Sequence, residues 1–187
     1  MTAVLILLAL VGLIGVFVWG LYNSLVTAKQ RVDESWSQIE VQLKRRADLI
    51  PNLIETVKGY AKHEQEIFDK LAEARRGLQE AGNASEAEQA DRQLRSVLDR
   101  LFAIAEDNPE LRASENFQKL QEELSDTEDK IAYARQFYNT NVMEYNIKIQ
   151  TFPNVLLAPA LGFTKGDFFE TEEEERKTPE VDFSSKE

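Results

Sequence analysis

The sequence predicts an all-α protein in which an N-terminal transmembrane helix runs without a break into an antiparallel, up-down-up-down four-helix bundle. Three observations predict it. From Ala3 to Leu21 there are nineteen residues with no ionisable side chain, and about twenty residues at 1.5 Å each cross the ~30 Å hydrocarbon core of a bilayer. Between Ala28 and Thr151 there are only two prolines and three glycines, and Ala, Leu, Glu, Lys, Arg and Gln dominate, which is helix composition. Apolar residues also recur seven apart: Leu25, Val32 and Ile39 interleave with Trp36, Leu43, Ile50 and Val57. This is the 3-4 spaced stripe of a packed bundle or coiled coil. Residues 1–27 are therefore assigned to the anchor, 28–152 to the bundle, and 153–187 to an apolar strap followed by an acidic tail.

The anchor reading rests on the flanks of the apolar run. A cleaved leader carries a basic n-region and a shorter apolar core, whereas only Met1 and Thr2 precede this run and the first charged side chain is Lys29. Val26-Thr27-Ala28 resembles a cleavage site, so removal is the minor alternative. Trp19 and Tyr22 mark the distal end at headgroup level. Lys29, Arg31, Lys44, Arg45 and Arg46 all follow the span, so the positive-inside rule places the N-terminus outside and the body in the cytoplasm. Ala9, Gly12 and Gly15 form a loose small-residue stripe without a GxxxG motif, a weak signal for helix pairing. The stripe that starts at Leu25 implies that anchor and first bundle helix are one rod.

Further along, Ile67, Leu71, Ala74 and Leu78 place a second helix over about 64–80, with Gly82 as its C-terminal cap. Ser85 with Glu88 reads as a capping box opening a third helix that carries Leu94, Val97, Leu98, Leu101, Phe102 and Ile104. Asp107-Asn108-Pro109 is a turn. The last helix begins near Ser114 and keeps a seven-residue series, Phe117, Leu124, Ile131, Tyr138, Tyr145 and Phe152, until Pro153 ends it. A continuous helix from Ala28 to Ala81 would be roughly 80 Å long against a third helix of only ~33 Å. A turn near Gly59 to His63 instead matches the faces and returns the chain to the membrane after four helices. The apolar segment 152–163 then arrives at the bilayer either as an interfacial or subunit-contact strap or as a segment packed along the bundle. Beyond it, the run Glu172-Glu173-Glu174-Glu175 gives an acidic, disordered tail.

Composition excludes several functions. All 22 basic and 33 acidic side chains follow the anchor, for a net charge of −11, which argues against nucleic acid as a partner. With no cysteine and one histidine, thiol chemistry and nitrogen- or sulfur-ligated metal sites are not available. His63 has Tyr60 three residues before it, so the Glu-x-x-His pattern of a bundle di-metal centre is missing. His63 reads as a helix-end residue in a surface pair. No phosphate-binding lysine loop, dinucleotide glycine pattern or HExxH motif occurs, so no catalytic residue, metal or cofactor is assigned and no enzymatic activity is expected.

Two features stand out as candidates for contact. Arg46, Asp48, Pro51 and Asn52 surround a proline in mid-heptad, which removes one N–H bond and crowds the carbonyl of Ala47 at a cost of about 3 kcal/mol. The kink either bends the helix around its core or shapes a docking groove or hinge. Three Tyr-Asn pairs also recur, Tyr22-Asn23, Tyr138-Asn139 and Tyr145-Asn146. The last two lie one heptad apart, so with Phe152 they are candidate seam or oligomer contacts, where asparagine fixes register. A core role for the tyrosines is the alternative.

Taken in order, these motifs resemble the LemA family. They are Tyr22-Asn23-x-Leu25-Val26, Gln42-Leu43-Lys44-Arg45-Arg46-x-Asp48-Leu49-Ile50-Pro51-Asn52-Leu53, Val57-Lys58-Gly59-Tyr60-x-x-His63-Glu64 and Glu106-x-x-Pro109-x-Leu111. Phe117-x-x-Leu120-Gln121-x-x-Leu124, Arg135-x-x-Tyr138-Asn139, Tyr145-Asn146 and Phe152-Pro153 complete the set. Asn108 departs from the pattern, where a tyrosine usually precedes the proline. The resemblance implies a single-pass bacterial membrane protein with a cytoplasmic four-helix bundle and no established activity. Relatives are associated with organising membrane structures or with membrane proteostasis. The expected function is a membrane-anchored scaffold or adaptor that self-associates, with the lipid bilayer and other membrane proteins as partners. A regulatory subunit of a membrane protease or quality-control system is the alternative.

Overall fold

The first helix runs from the start of the span to the far end of the body without interruption. In the computed structural model, which describes residues 1–60 and 64–169, α1 covers Thr2–Lys58, 57 residues. Its apolar opening is exposed all round, and core residues begin at Leu25 and recur at Val32, Ile39, Leu43, Ile50 and Val57. The remaining elements are α2 (Gln65–Glu80), α3 (Ala84–Glu106), the single turn α4 (Pro109–Arg112), α5 (Glu115–Gln150) and the single turn α6 (Asn154–Leu157). No strand occurs among the described residues. α1 ends at Lys58 and α2 begins at Gln65, so a single helix to Ala81 is not formed. The expected turn falls partly on residues 61–63, and with His63 these lie outside the described residues, as does the acidic tail from 170 onward.

Pro51 sits inside α1, and the structure shows what becomes of the carbonyl it frees. Arg75 Nε, from α2, donates to the Ala47 oxygen at 3.0 Å, so the hydrogen bond lost to the proline ring is replaced by one that ties α2 to α1. Replacing Arg75 by Met leaves that carbonyl unpaired and costs about 1–3 kcal/mol. In a Pro51→Ala background, where residue 51 regains its N–H, the same change costs less. Urea unfolding of the four proteins of this double-mutant cycle measures the coupling.

α2 and α3 form a close pair. A Cβ at Gly77 would fall 3.3 Å from the Ala90 Cβ, so this glycine lets the two backbones approach. The start of α3 lies two residues before the expected one. Asn83, rather than Ser85, caps it by accepting from the Glu86 N–H at 2.9 Å, and the Glu86 carboxylate accepts from the Gly82 N–H at 2.8 Å. The pattern resembles a capping box moved two residues upstream, with the glutamate on the N–H just before the cap; Asn is as good a cap as Ser, and Ala84 and Ala87 then face the core. Gly82 is accordingly no left-handed cap: Ala81 closes α2 in an extended conformation. The expected turn at 107–109 is there, with Asn108 capping α4 and Pro109 at its first position.

α1 and α5 are antiparallel neighbours. Trp36 meets Tyr138 edge-on at 5.9 Å, and Arg45 pairs with Asp126 at 3.1 Å. Phe117, Leu124, Ile131, Tyr138 and Tyr145 are all buried, but Phe152 is 79% exposed. The seam ends because α5 stops at Gln150, before the Phe152–Pro153 peptide, which is cis. Phe152 is thus removed from the seam to which its spacing assigned it.

Candidate functional site

Among the described residues, the most buried charge is a cluster around Asp91. Asp91, in α3, is fully buried and is held by guanidiniums from three helices. Arg46 of α1 reaches one oxygen at 2.9 Å; Arg95, one turn along α3 and 3.3 Å away, and Arg135 of α5 meet the other. Glu128 of α5 bonds Arg46 and lies 3.5 Å from Arg95. A buried carboxylate without partners would be severely destabilising, and these guanidiniums satisfy it. The arrangement fixes the relative heights of α1, α3 and α5. Its carboxylates are engaged by arginine.

The second construction is a strap. After α6 the chain turns at Gly162, whose φ of +83° is the one left-handed conformation among the described residues. The Phe163 N–H donates to Ala158 O and the Gly162 N–H to Pro159 O, the paired bonds of a Schellman motif, which favours glycine at this point. Residues 163–169 then run back along α5, gripped by the two Tyr-Asn pairs. Tyr145 Oη donates to Thr164 O at 2.8 Å, and Asn146 both donates to Gly166 O and accepts from Gly166 N–H at 2.9 Å. Tyr138 Oη donates to Asp167 O at 3.0 Å, and Asn139 holds both backbone groups of Phe169 at 2.8 Å. Seven helical residues rise ~10.5 Å, and three extended residues cover ~10 Å. One heptad of α5 therefore matches three residues of strap, and the same clamp is used twice. The carboxamide supplies one donor and one acceptor, as a neighbouring strand would.

The strap spans from the membrane end of the body to the ion cluster. Phe163 meets Tyr22 of α1 edge-on at 5.8 Å. At the other end Phe169 is buried and packs over the Arg135 guanidinium at 4.5 Å. Burial raises the pKa of both clamp tyrosines, with the carboxylates of Asp167 and Asp33 adding to it at Tyr138 and Asp33 at Tyr145. Both hydroxyls donate, so the bonds require the protonated phenol. Unfolded tyrosine titrates near 10 and the folded pKa is higher, so this contribution is complete below pH ~10 and is lost as pH rises through the folded value. Tyrosinate absorbance is expected to show that the two titrations above the ordinary phenol range vanish in the Tyr138→Phe/Tyr145→Phe variant.

The residues singled out by sequence separate. Arg46 is buried in the ion cluster, Pro51 is half-buried, and Asp48 and Asn52 are exposed, so the four do not line one groove. Tyr138, Asn139, Tyr145 and Asn146 contact this chain's own strap rather than a helix seam with another copy. Tyr22 touches the strap, whereas Asn23 is exposed. Asp91, Arg95, Glu128 and Arg135 were not marked by spacing, because each looks like an ordinary surface charge until helix heights are known. The strap did leave a signal: Phe163, Gly166 and Phe169 recur at three, matching asparagines that recur at seven.

The LemA family model matches residues 35–183, which includes the arginine-rich stretch, the ion cluster and the clamp. The chain belongs to the LemA family. It is 27% identical over 174 residues to the magnetosome protein MamQ of Magnetospirillum gryphiswaldense, covering 79% of this chain and 64% of that one. It is 28% identical over 175 residues to magnetosome protein MamQ 2 of Paramagnetospirillum magneticum, covering 80% and 64%. To the protein LemA of Metamycoplasma hominis it is 26% identical over 170 residues, covering 87% and 76%. The chain thus spans 64% of the length of these magnetosome relatives. Among the described residues, this LemA-family protein has one helix long and apolar enough to cross a membrane.

Proposed function

We propose that this protein is a non-enzymatic scaffold anchored in the bacterial cell membrane, which self-associates and organises membrane proteins or membrane structure by contact. The observation that carries this reading is the continuity of α1, exposed and apolar where it would span the bilayer and buried in the body beyond Leu25. A head on such a rod has its height and facing set by the membrane. The basic residues after the span support an outside N-terminus and a cytoplasmic body. The packing of α1 with α5, α2 with α3 and α1 with α2 supports an antiparallel, up-down-up-down bundle.

For self-association the support is an open groove of about 680 Å³ between α1 and α5. Val41 is 61% exposed and Tyr133 71% on its walls, and Phe137, one turn on from Tyr133, is 42% exposed. A second copy applied to the same face of the first would bury these side chains in a two-fold contact. The relatives named as magnetosome proteins agree with a role in organisation. The test is purification of the full chain in mild detergent with size analysis. A homo-oligomer without a stoichiometric second protein is expected. A stoichiometric membrane protease would instead make the chain a regulatory subunit, and a monomer without partners would overturn both readings.

A further inference from the structure

We infer that the turn of helix at Asn154–Leu157 is a second membrane contact, seated in the bilayer interface beside the point where α1 leaves the membrane. This inference rests on the anchored reading of α1. The register of α1 and α5 sets its height. Trp36 lies beside Tyr138, and counting twelve residues from each puts Gln150 level with Ser24. The chain beyond Gln150 therefore stands at the level of Tyr22 and Trp19, the aromatic residues that end the span. The Phe163–Tyr22 ring contact places the return of the strap at this level independently.

The turn is amphipathic with its apolar side outward. Asn154 and Ala158 are buried against the body, whereas Phe152 is 79%, Val155 44% and Leu156 69% exposed. Val155 and Leu156 in the turn and Phe152 just before it thus all present apolar surface to solvent. They stand at the level of Trp19 and Tyr22 on α1, which are likewise exposed, so a lipid surface is the occupant that this position fits. Asn154 Nδ2 donates to Lys148 O at 2.8 Å, which fixes the turn to the end of α5. Toward the body, Arg31 and Lys148 share a recess with Glu144. The contact gives the head two points on the membrane, which restrains rotation and tilt about α1 in a way that one helix does not.

The chain contains no cysteine, so single labels are straightforward. An environment-sensitive fluorophore is attached in turn to Leu156→Cys, Tyr22→Cys and Tyr133→Cys of the full chain, reconstituted in phosphatidylcholine–phosphatidylglycerol vesicles. Lipids carrying a nitroxide near the headgroup serve as quencher. Interfacial insertion reaches ~5–10 Å into the headgroup–acyl boundary, so quenching at position 156 is expected within about twofold of that at position 22. Position 133 is expected to be unquenched. Quenching at 22 but not at 156 overturns the inference, whether the label at 156 reports water or protein contact. Absence of quenching at 22 overturns the anchored reading and this inference with it.

Discussion

Asp91→Asn is expected to lower the stability of the helical body by about 3–5 kcal/mol, the cost of removing one partner from a buried ion pair. The carboxylate is fully buried; it accepts hydrogen bonds from Arg46 and Arg135 and is ion-paired with Arg95. The neutral amide keeps the volume but removes the only negative charge that all three arginines face. The cost comes from the partners left behind, not from a large net gain in the native cluster. Joint replacement of Arg46, Asp91 and Arg135 by apolar residues of similar volume should therefore recover much of the loss. Urea unfolding followed by Trp36 fluorescence, in Trp19→Phe versions of each protein, separates the two results. The joint variant is also the one in which the heights of α1, α3 and α5 are set by packing alone.

Asn139→Ala combined with Asn146→Ala is expected to release the strap while leaving the helices folded. Each asparagine makes two hydrogen bonds to strap backbone, and each bond contributes about 1 kcal/mol net. Loss of either asparagine should thus speed exchange of the strap amide that it holds by about tenfold or more. The affected amides are those of Gly166 and Phe169, and the buried positions of α1 should keep their protection. Asn146→Asp is a finer test. It retains the acceptor for the Gly166 N–H but sets a carboxylate oxygen against the Gly166 carbonyl, so exchange should rise although the residue is nearly isosteric.

The helices were legible because burial follows heptad spacing: Leu25 to Val57 on α1 and Phe117 to Tyr145 on α5 lie in the core as their intervals imply. Continuity of α1 was legible too, since its core stripe begins just past the apolar run. Three things were not. The capping register at Asn83 depends on which of two good N-caps lets Ala84 and Ala87 face inward, and that is decided by packing against α2. The ion cluster requires residues 45 apart, Arg46 and Asp91, to reach one height, which no local pattern reports. The Tyr-Asn repeat was visible, but in a heptad its asparagines suggested a partner helix. Their amides instead bind an extended segment of the same chain, because α5 ends at Gln150 and Gly162 turns the chain back along it. The kink at Pro51 had a visible cause and a hidden remedy, the side chain of Arg75.

Contact between copies at the exposed face of α1 and α5 is the most direct consequence of a scaffold that works by association. Single cysteines at Tyr133 and, as a control, at Glu110 on α4 can be joined by a short bis-maleimide in native membranes. Covalent dimers are expected from Tyr133→Cys and none above background from Glu110→Cys. Equal yields from the two sites, or no dimer from Tyr133→Cys although that cysteine is fully labelled by a simple maleimide, would contradict such contact.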